Sequence, residues 1–394
     1  MSVKRATPHA RANKALALKS TLAAWIACTW MLPLAAQTPP TSWERYTIFV
    51  RDTRAGYIRV ETTADRTIIH SEEKVNGRGP SLREMIRTDH NGLPMEWTIA
   101  GNTAFGGKVD DRFAIADGTA TWSEPSGEGR TRLTEPSLYV AGTSSDWAYG
   151  LYARALLKDP DRELPALPGG TLRLGKVADL DFAGPAGARS THATAYAVSG
   201  ITQHPAYVIL DDTGAMVARV TATAVTVREG LEAEAPRLFR LVETWSGERL
   251  ANINKEVAHN YGRPVRIRNV RLFDPRSGKL TPARSVLVRH RTIAAVDRPD
   301  RAGAPGEVVI EGGGGTLVPG MYEMHTHVNA ATALIQLMAG ITTMRDMAGN
   351  NASVVDLARR IESGDLGGPR VIRNGMIEGK SPFNNAGGIL VVKI

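Results

Sequence analysis

Cysteine is almost missing from this chain: Cys28 is the only one in 394 residues. It lies in an N-terminal segment that reads as removable, so a processed chain would have none. That excludes a disulfide framework and a thiolate nucleophile. The N-terminal apolar stretch, Leu22 to Ala36, is shorter than the ~20 apolar residues a spanning helix needs. Strong charge imbalance is lacking too. The formal net charge is +8, but Lys4, Arg5, Arg11, Lys14 and Lys19 all fall within the first 36 residues, which hold no acid, so the remainder carries only +3. That is too little to argue for a nucleic-acid partner. A basic region, an apolar run and the small pair Ala35-Ala36 make residues 1–36 a secretory signal. The expected location is the bacterial periplasm or the exterior, with no membrane span after cleavage.

From Trp43 to about Leu133 the pattern is period-two alternation cut by turn dipeptides. Tyr46, Ile48 and Val50 share one face of a first strand, Tyr57 to Glu61 gives a second, and Arg66 to His70 a third. Asn91-Gly92 and Asp117-Gly118 are hairpin signals. The pattern predicts a mostly antiparallel sheet, curved, with one buried face. His70 and His90 lie here without ligand spacing and read as surface residues. Ser145 to Leu157 changes rhythm: Ser145 or Asp146 can cap a helix whose aromatics pack over the sheet. A Pro/Gly-rich connector follows at Leu164 to Gly170. Strands resume from Thr171 to Asp181 and from His192 to Val198, and a hairpin around Asp211 to Gly214 joins Tyr207–Leu210 to Met216–Val220. Glu234 to His259 is the strongest helix, with an apolar stripe of Leu238, Leu241, Val242, Trp245, Ile253 and Val257, weakened by Gly247.

After Tyr261-Gly262-Arg263-Pro264 come three short β runs, Val265–Phe273, Arg284–Arg289 and Thr292–Val296, with His290 in a turn. Val308 to Val318 then leads into Thr316–Asn329, TLVPGMYEMHTHVN. Residues two apart on a strand point the same way, so His325 and His327 aim two imidazoles at one region, as a pair of metal ligands would. H-x-H alone is common by chance. Beyond it, Ala331–Ala339 reads as a short helix, Ile341–Met347 as a buried strand, Ala352–Ser363 as an amphipathic helix and Arg370–Ile377 as a third strand. Strands alternating with helices indicate βα units and a parallel sheet.

Two stretches together, Leu317 to His327 and Ala339-Gly340-Ile341-Thr342-Thr343-Met344-Arg345-Asp346, resemble the metal-dependent amidohydrolase superfamily, whose patterns run "LxPGxxDxHxH" and "aGvTTvRD". The resemblance covers Arg263 to the C-terminus and is nearest to exported dipeptidase-like and imidazolonepropionase-like members. It implies a small β-sandwich segment and a (β/α)8 barrel of the TIM type, with chemistry at the C-terminal ends of the strands. It implies hydrolysis of amide, cyclic amide or dipeptide-like carbon–nitrogen bonds by water activated on one or two divalent ions, most often zinc. His325 and His327 would be ligands, and Glu323, where the family has aspartate, would support one of them. The remaining ligands and the general base belong to later strands and have no counterpart here; Lys380 and Lys393 sit in no such motif, so no catalytic residue is assigned. Arg345 and Asp346 read as a structural pair.

The expected organisation is a signal peptide at 1–36, a β-rich antiparallel domain with helices at 37–262, a β-sandwich segment at 263–315 and an incomplete (β/α) barrel at 316–394. The barrel reads as C-terminally truncated, with little hydrolase activity of its own. The partner would be a small amide or peptide-like substrate, and association into an oligomer is compatible with the sequence. Two other readings stand beside the enzyme: an exported module whose β-rich domain captures an apolar ligand, and a non-catalytic scaffold that holds metal weakly at His325 and His327.

Overall fold

The computed structural model describes residues 42–50, 53–75, 77–183, 190–259, 261–347, 351–378 and 389–391. The expected signal segment with Cys28, and Lys380 and Lys393, lie outside them. Eight strands follow one another as an antiparallel meander: β1 (Ser42–Val50), β2 (Thr53–Thr62), β3 (Thr67–Glu73), β4 (Ser81–Thr88), β5 (Pro94–Asn102), β6 (Lys108–Ala116), β7 (Thr119–Glu124) and β8 (Gly127–Arg132). Asp117 and Gly118 link β6 to β7 with φ of 49° and 69°. Two successive positive φ angles are what a two-residue type I′ hairpin requires. In the β4–β5 turn, the Asp89 carboxylate accepts from the backbone N–H groups of Asn91 and Leu93.

Next come β9 (Leu138–Tyr139), α1 (Trp147–Lys158), β10 (Glu163–Leu167), β11 (Thr171–Phe182), β12 (Thr191–Ser199), β13 (Ala206–Asp211), β14 (Met216–Val220) and β15 (Ala224–Arg228). The run expected to be only a connector, Leu164 to Gly170, thus contributes strand β10, because Glu163 to Pro165 pairs with Thr171 to Arg173. β15 pairs back onto β1, Thr47 opposite Val227, so fifteen strands form one sheet ordered from β8 through β1 and β15 to β9.

Laid flat, fifteen strands about 4.8 Å apart would span roughly 65 Å, too far for one helix to touch both halves. Yet α1 does so. Tyr152 lies 6.2 Å from Trp97 of β5, the Trp147 indole N–H donates to Glu44 of β1, and Leu151 and Leu156 share a core with Val208, Leu210 and Met216. The sheet therefore curls around α1, whose buried Trp147, Leu151, Tyr152 and Leu156 occupy its apolar concave side. Neither Ser145 nor Asp146 caps α1 through its side chain. Asp146 is engaged elsewhere, accepting from the Thr226 hydroxyl at 2.5 Å and pairing with Arg219 at 3.2 Å.

Beyond the stretch for which one buried face is expected, β13 to β15 are buried on both faces. Val208 and Leu210 face α1, while Tyr207, Ile209, Val217, Val225 and Val227 face a second core. Helix α2 (Ala235–Val257) covers that second core with Leu238 and Val242. Farther along, Leu250 joins a third core with residues of the C-terminal region. Because α2 changes partner midway, its buried stripe shifts to Gly247 and Leu250, and Val257 is left 55 % exposed. A methyl group at position 247 would lie 3.5 Å from the Arg360 guanidinium, an ordinary contact. Gly247→Ala should therefore raise stability by about 0.5–1 kcal/mol through helix propensity alone. Urea unfolding of the pair would check it, and a loss would mean that the helices cannot accept the methyl.

The segment expected as a small β-sandwich is a six-stranded sheet built on β16 (Val265–Asp274) with β17 (Lys279–Leu280), β18 (Arg284–Arg289), β19 (Thr292–Asp297), β20 (Val308–Glu311) and β21 (Thr316–Leu317). Asn269, at φ 51°, breaks β16 so that one edge pairs first with β20 and then with β21, while β18 pairs on both sides of the break. His290 sits in the β18–β19 turn at φ 52°, the turn position expected of it. Then β22 (Met321–Thr326), α3 (Ala330–Met338), β23 (Ile341–Asp346), α4 (Asn351–Ser363) and β24 (Arg370–Ile372) form a parallel three-stranded sheet ordered β22-β23-β24. The third strand is shorter than expected. Met376 to Glu378, β25, pairs instead with Ile389 to Val391, β26. Among the described residues the βα units do not close into a barrel.

Candidate metal-ligand pair

β22 is apolar at its start and polar at its end, and its single neighbour among the described residues is β23. All three strands run parallel, so the C-terminal ends of β22 and β23 lie on the same edge of the sheet. His325 is the penultimate residue of β22 and His327 follows directly after its end. Thr326 between them turns the other way. Its hydroxyl accepts from the Gln336 side chain of α3 at 3.1 Å, which leaves both imidazoles exposed on the opposite side. Their ring centroids are 5.7 Å apart at an interplanar angle of 85°.

The backbone carrying the two rings is held from several sides. Arg345 donates from Nε to the Met324 carbonyl at 2.8 Å, and the Asp346 carboxylate accepts from the Val328 N–H at 3.0 Å. Met347 N–H donates to the Thr326 carbonyl at 2.8 Å. Asp346 is 2 % exposed and Thr326 stands beside it in register. Arg345 and Asp346, expected as a structural pair, each hold the backbone here, Arg345 on β22 at Met324 and Asp346 just beyond it at Val328. Adjacent strand residues point to opposite faces, so the two side chains reach the neighbouring strand from either side. Glu323 accepts from the His325 backbone N–H at 2.9 Å through Oε1; this contact is to the backbone of His325 and not to its ring. Below, Asn329 caps α3 by accepting from Thr332 N–H at 3.1 Å. α3 then packs Ala333 and Leu334 with Val328 and Met344. Gly320 is required for approach: a Cβ there would lie 2.0 Å from the Thr342 hydroxyl oxygen.

Zinc–nitrogen bonds of about 2.0–2.1 Å at a tetrahedral angle would put two ligating ring centroids roughly 5.3 Å apart. The observed centroid spacing is close to that. A catalytic zinc takes three protein ligands. Among the described residues no group of three or more His, Cys, Asp or Glu side chains is placed to hold an ion. The clamps formed by Arg345, Asp346 and Gln336 were not read from the sequence as supports of the H-x-H strand. The signal for the first two was the charged end of the TTMRD run.

No protein-family model matches the chain, and no curated protein matches it. Among solved structures, similarity is found to a putative prolidase from Bifidobacterium longum, at 20 % identity and a TM-score of 0.29 over 33 % of this chain and 34 % of that one. An Xaa-Pro dipeptidase with bound methionine matches at 18 % identity and TM-score 0.27 over 32 % and 41 % of the two chains. Molinate hydrolase matches at 22 % identity and TM-score 0.27 over 29 % and 30 %. The chain spans about a third of the length of the first solved structures it matches.

Proposed function

We propose that the C-terminal region is the opening part of a metal-dependent hydrolase of the amidohydrolase type, with His325 and His327 as two ligands of a divalent ion, zinc for choice. The observation that supports this most is the placement of both rings on one side at the C-terminal end of a parallel strand, clamped by the neighbouring TTMRD strand. In such a site the ion would supply activated water for attack on an amide, cyclic amide or peptide-like carbon–nitrogen bond. The residues described here can do a narrower task. His325 and His327 donate to the ion, Glu323 and Arg345 hold the strand that carries them, and Asp346 holds the turn into α3. A third donor would have to come from outside the described residues, so no bond-breaking step is assigned to this part of the chain. Export to the periplasm or the exterior forms part of the same reading, carried by residues 1–36. Among the described residues no helix is long and apolar enough to cross a membrane.

Zinc affinity of the full chain, measured by competition with a chromophoric chelator, tests the assignment. The double variant His325→Ala, His327→Ala should bind zinc at least tenfold more weakly, with an unchanged far-ultraviolet spectrum. Equal affinity in the two proteins would end the proposal, whatever hydrolysis of small amides and dipeptides showed.

A further inference from the structure

Asp111 and Glu124, on neighbouring strands of the inner wall of the curled sheet, are carboxylates that the hydrolase reading does not use. Strand β6 turns Val109, Asp111 and Phe113 inward, and all three are buried, Asp111 with 2 % of its surface exposed. Ile99 of β5 stands opposite Asp111 on one flank. On the other flank Arg112 pairs with Ser123, and the same register sets Glu124 beside Asp111. Like charges directly opposite on one face oppose pairing, and an apolar wall makes the conflict worse. Asp111 and Glu124 belong to none of the ion pairs among the described residues. Arg112 and Lys108 turn outward to Asp110 instead.

A second observation is independent of the acids. Tyr139 of β9 lies flat on Phe113, with centroids 4.0 Å apart at 4°, and is 1 % exposed. Its buried hydroxyl meets no partner in full hydrogen-bonding geometry, and neither does either oxygen of Asp111, although Glu124 acts on the hydroxyl and Thr143 on the Asp111 carboxyl from close by. Burial first, then the neighbouring charges of Glu124 and Asp111, push the Tyr139 hydroxyl up. Burial, then the neighbouring charge of Glu124, pushes the Asp111 carboxyl up despite a nearby Thr143 hydroxyl. Glu124 is held by backbone: Oε2 accepts from Gly142 N–H at 3.2 Å, while Oε1 accepts from the Ser126 hydroxyl at 2.7 Å. Gly142 is exposed and Thr143 half-buried, so the loop over the cluster reaches solvent.

We propose that Asp111, Glu124 and the Tyr139 hydroxyl, with Thr143 at the rim, bind one hard divalent cation of the calcium type. Every donor is oxygen, the preference of calcium and magnesium and not of zinc. Two carboxylates balance a double positive charge, and the two neutral hydroxyls fill coordination without adding to it. The site is separate from the histidine pair in residues and in donor chemistry, and it stands whether or not the hydrolase assignment does.

Terbium is the probe. The full chain, stripped with a chelator, should bind one equivalent and show luminescence sensitised by the Tyr139 and Trp97 rings, with calcium displacing it. Asp111→Asn and Glu124→Gln should each weaken binding at least tenfold. Tyr139→Phe, which keeps the stack on Phe113, should weaken it severalfold. The His325→Ala, His327→Ala protein should bind terbium as the unaltered chain does. A calcium-dependent rise in melting temperature of the unaltered chain provides a readout that needs no variant to fold. Absence of both the luminescence and the rise overturns the proposal, as does terbium binding unaffected by Asp111→Asn and Glu124→Gln. If calcium has no effect while Asp111→Asn melts higher, the carboxyl pair holds a proton only, and the site is refuted.

Discussion

Trp97→Ala is expected to lower stability by about 3–5 kcal/mol, the usual range for removing a large aromatic side chain from a core. Trp97 is 1 % exposed and sits where the two halves of the curled sheet meet α1. Its ring contacts Tyr139 edge-on at 6.2 Å and Tyr152 at 6.2 Å, so one truncation opens space beside two further aromatics. The indole N–H also donates to Glu84 Oε2 at 3.0 Å. Glu84 is fully buried, and its carboxyl is pushed up by burial against the two donors that serve it, Trp97 and the Ser145 N–H. Trp97→Phe separates the contributions. It keeps most of the volume and removes the donor together with the smaller ring, so about 1–3 kcal/mol should be lost. Urea denaturation followed by far-ultraviolet circular dichroism gives both numbers. Equal losses in the two variants would mean that the hydrogen bond, and not the packing, dominates this site.

Asp211→Ala should cost about 2–4 kcal/mol, because one carboxylate organises the β13–β14 hairpin and ties it to β15. Oδ1 accepts from Thr213 N–H, the Thr213 hydroxyl and Ala215 N–H, and Oδ2 pairs with Arg228 at 2.7 Å. Arg228 also donates twice to the Met216 carbonyl. The Asp211 side chain is 12 % exposed, so water compensates little. Burial acts to raise its pKa, but the hydrogen bonds from Thr213 and Arg228 outweigh it and hold the carboxyl below its ordinary 3.8. A carboxylate depressed in the folded state contributes its full stability above the unfolded value, near pH 4, and loses it as pH falls through the folded value. Stability of the unaltered chain should therefore decline below about pH 4, and Asp211→Asn should flatten that acid limb. Parallel acid limbs in the two proteins would show that Asp211 is not the group responsible.

Much of this was legible in local pattern, and the failures have physical causes. Asn91-Gly92 and Asp117-Gly118 announced their hairpins because few residues tolerate the positive φ those turns need. The H-x-H strand and the helix after it were readable from period and spacing. β15 was not, since AVTVR is five residues of common strand composition and only its pairing with β1 makes it a sheet member. Asp111 was hidden within the charged run KVDDR, where Asp110 and Arg112 do face solvent. Nothing in that run says which aspartate turns inward until the strand has a face. The clamps on β22 and the turn after it join residues distant in sequence, and beyond the charged end of the TTMRD run a linear pattern carries no record of them.

Helix α2 is about 35 Å long at 1.5 Å per residue, and its two ends are rooted in different cores. Ser353 of α4 also donates to its Glu243 at 3.1 Å. One continuous helix thus fixes the spacing between the core where Leu238 meets the large sheet and the core that Leu250 joins. The strand that presents His325 and His327 therefore inherits its footing, through Val328 and Leu334, from a sheet more than two hundred residues upstream at its first strand.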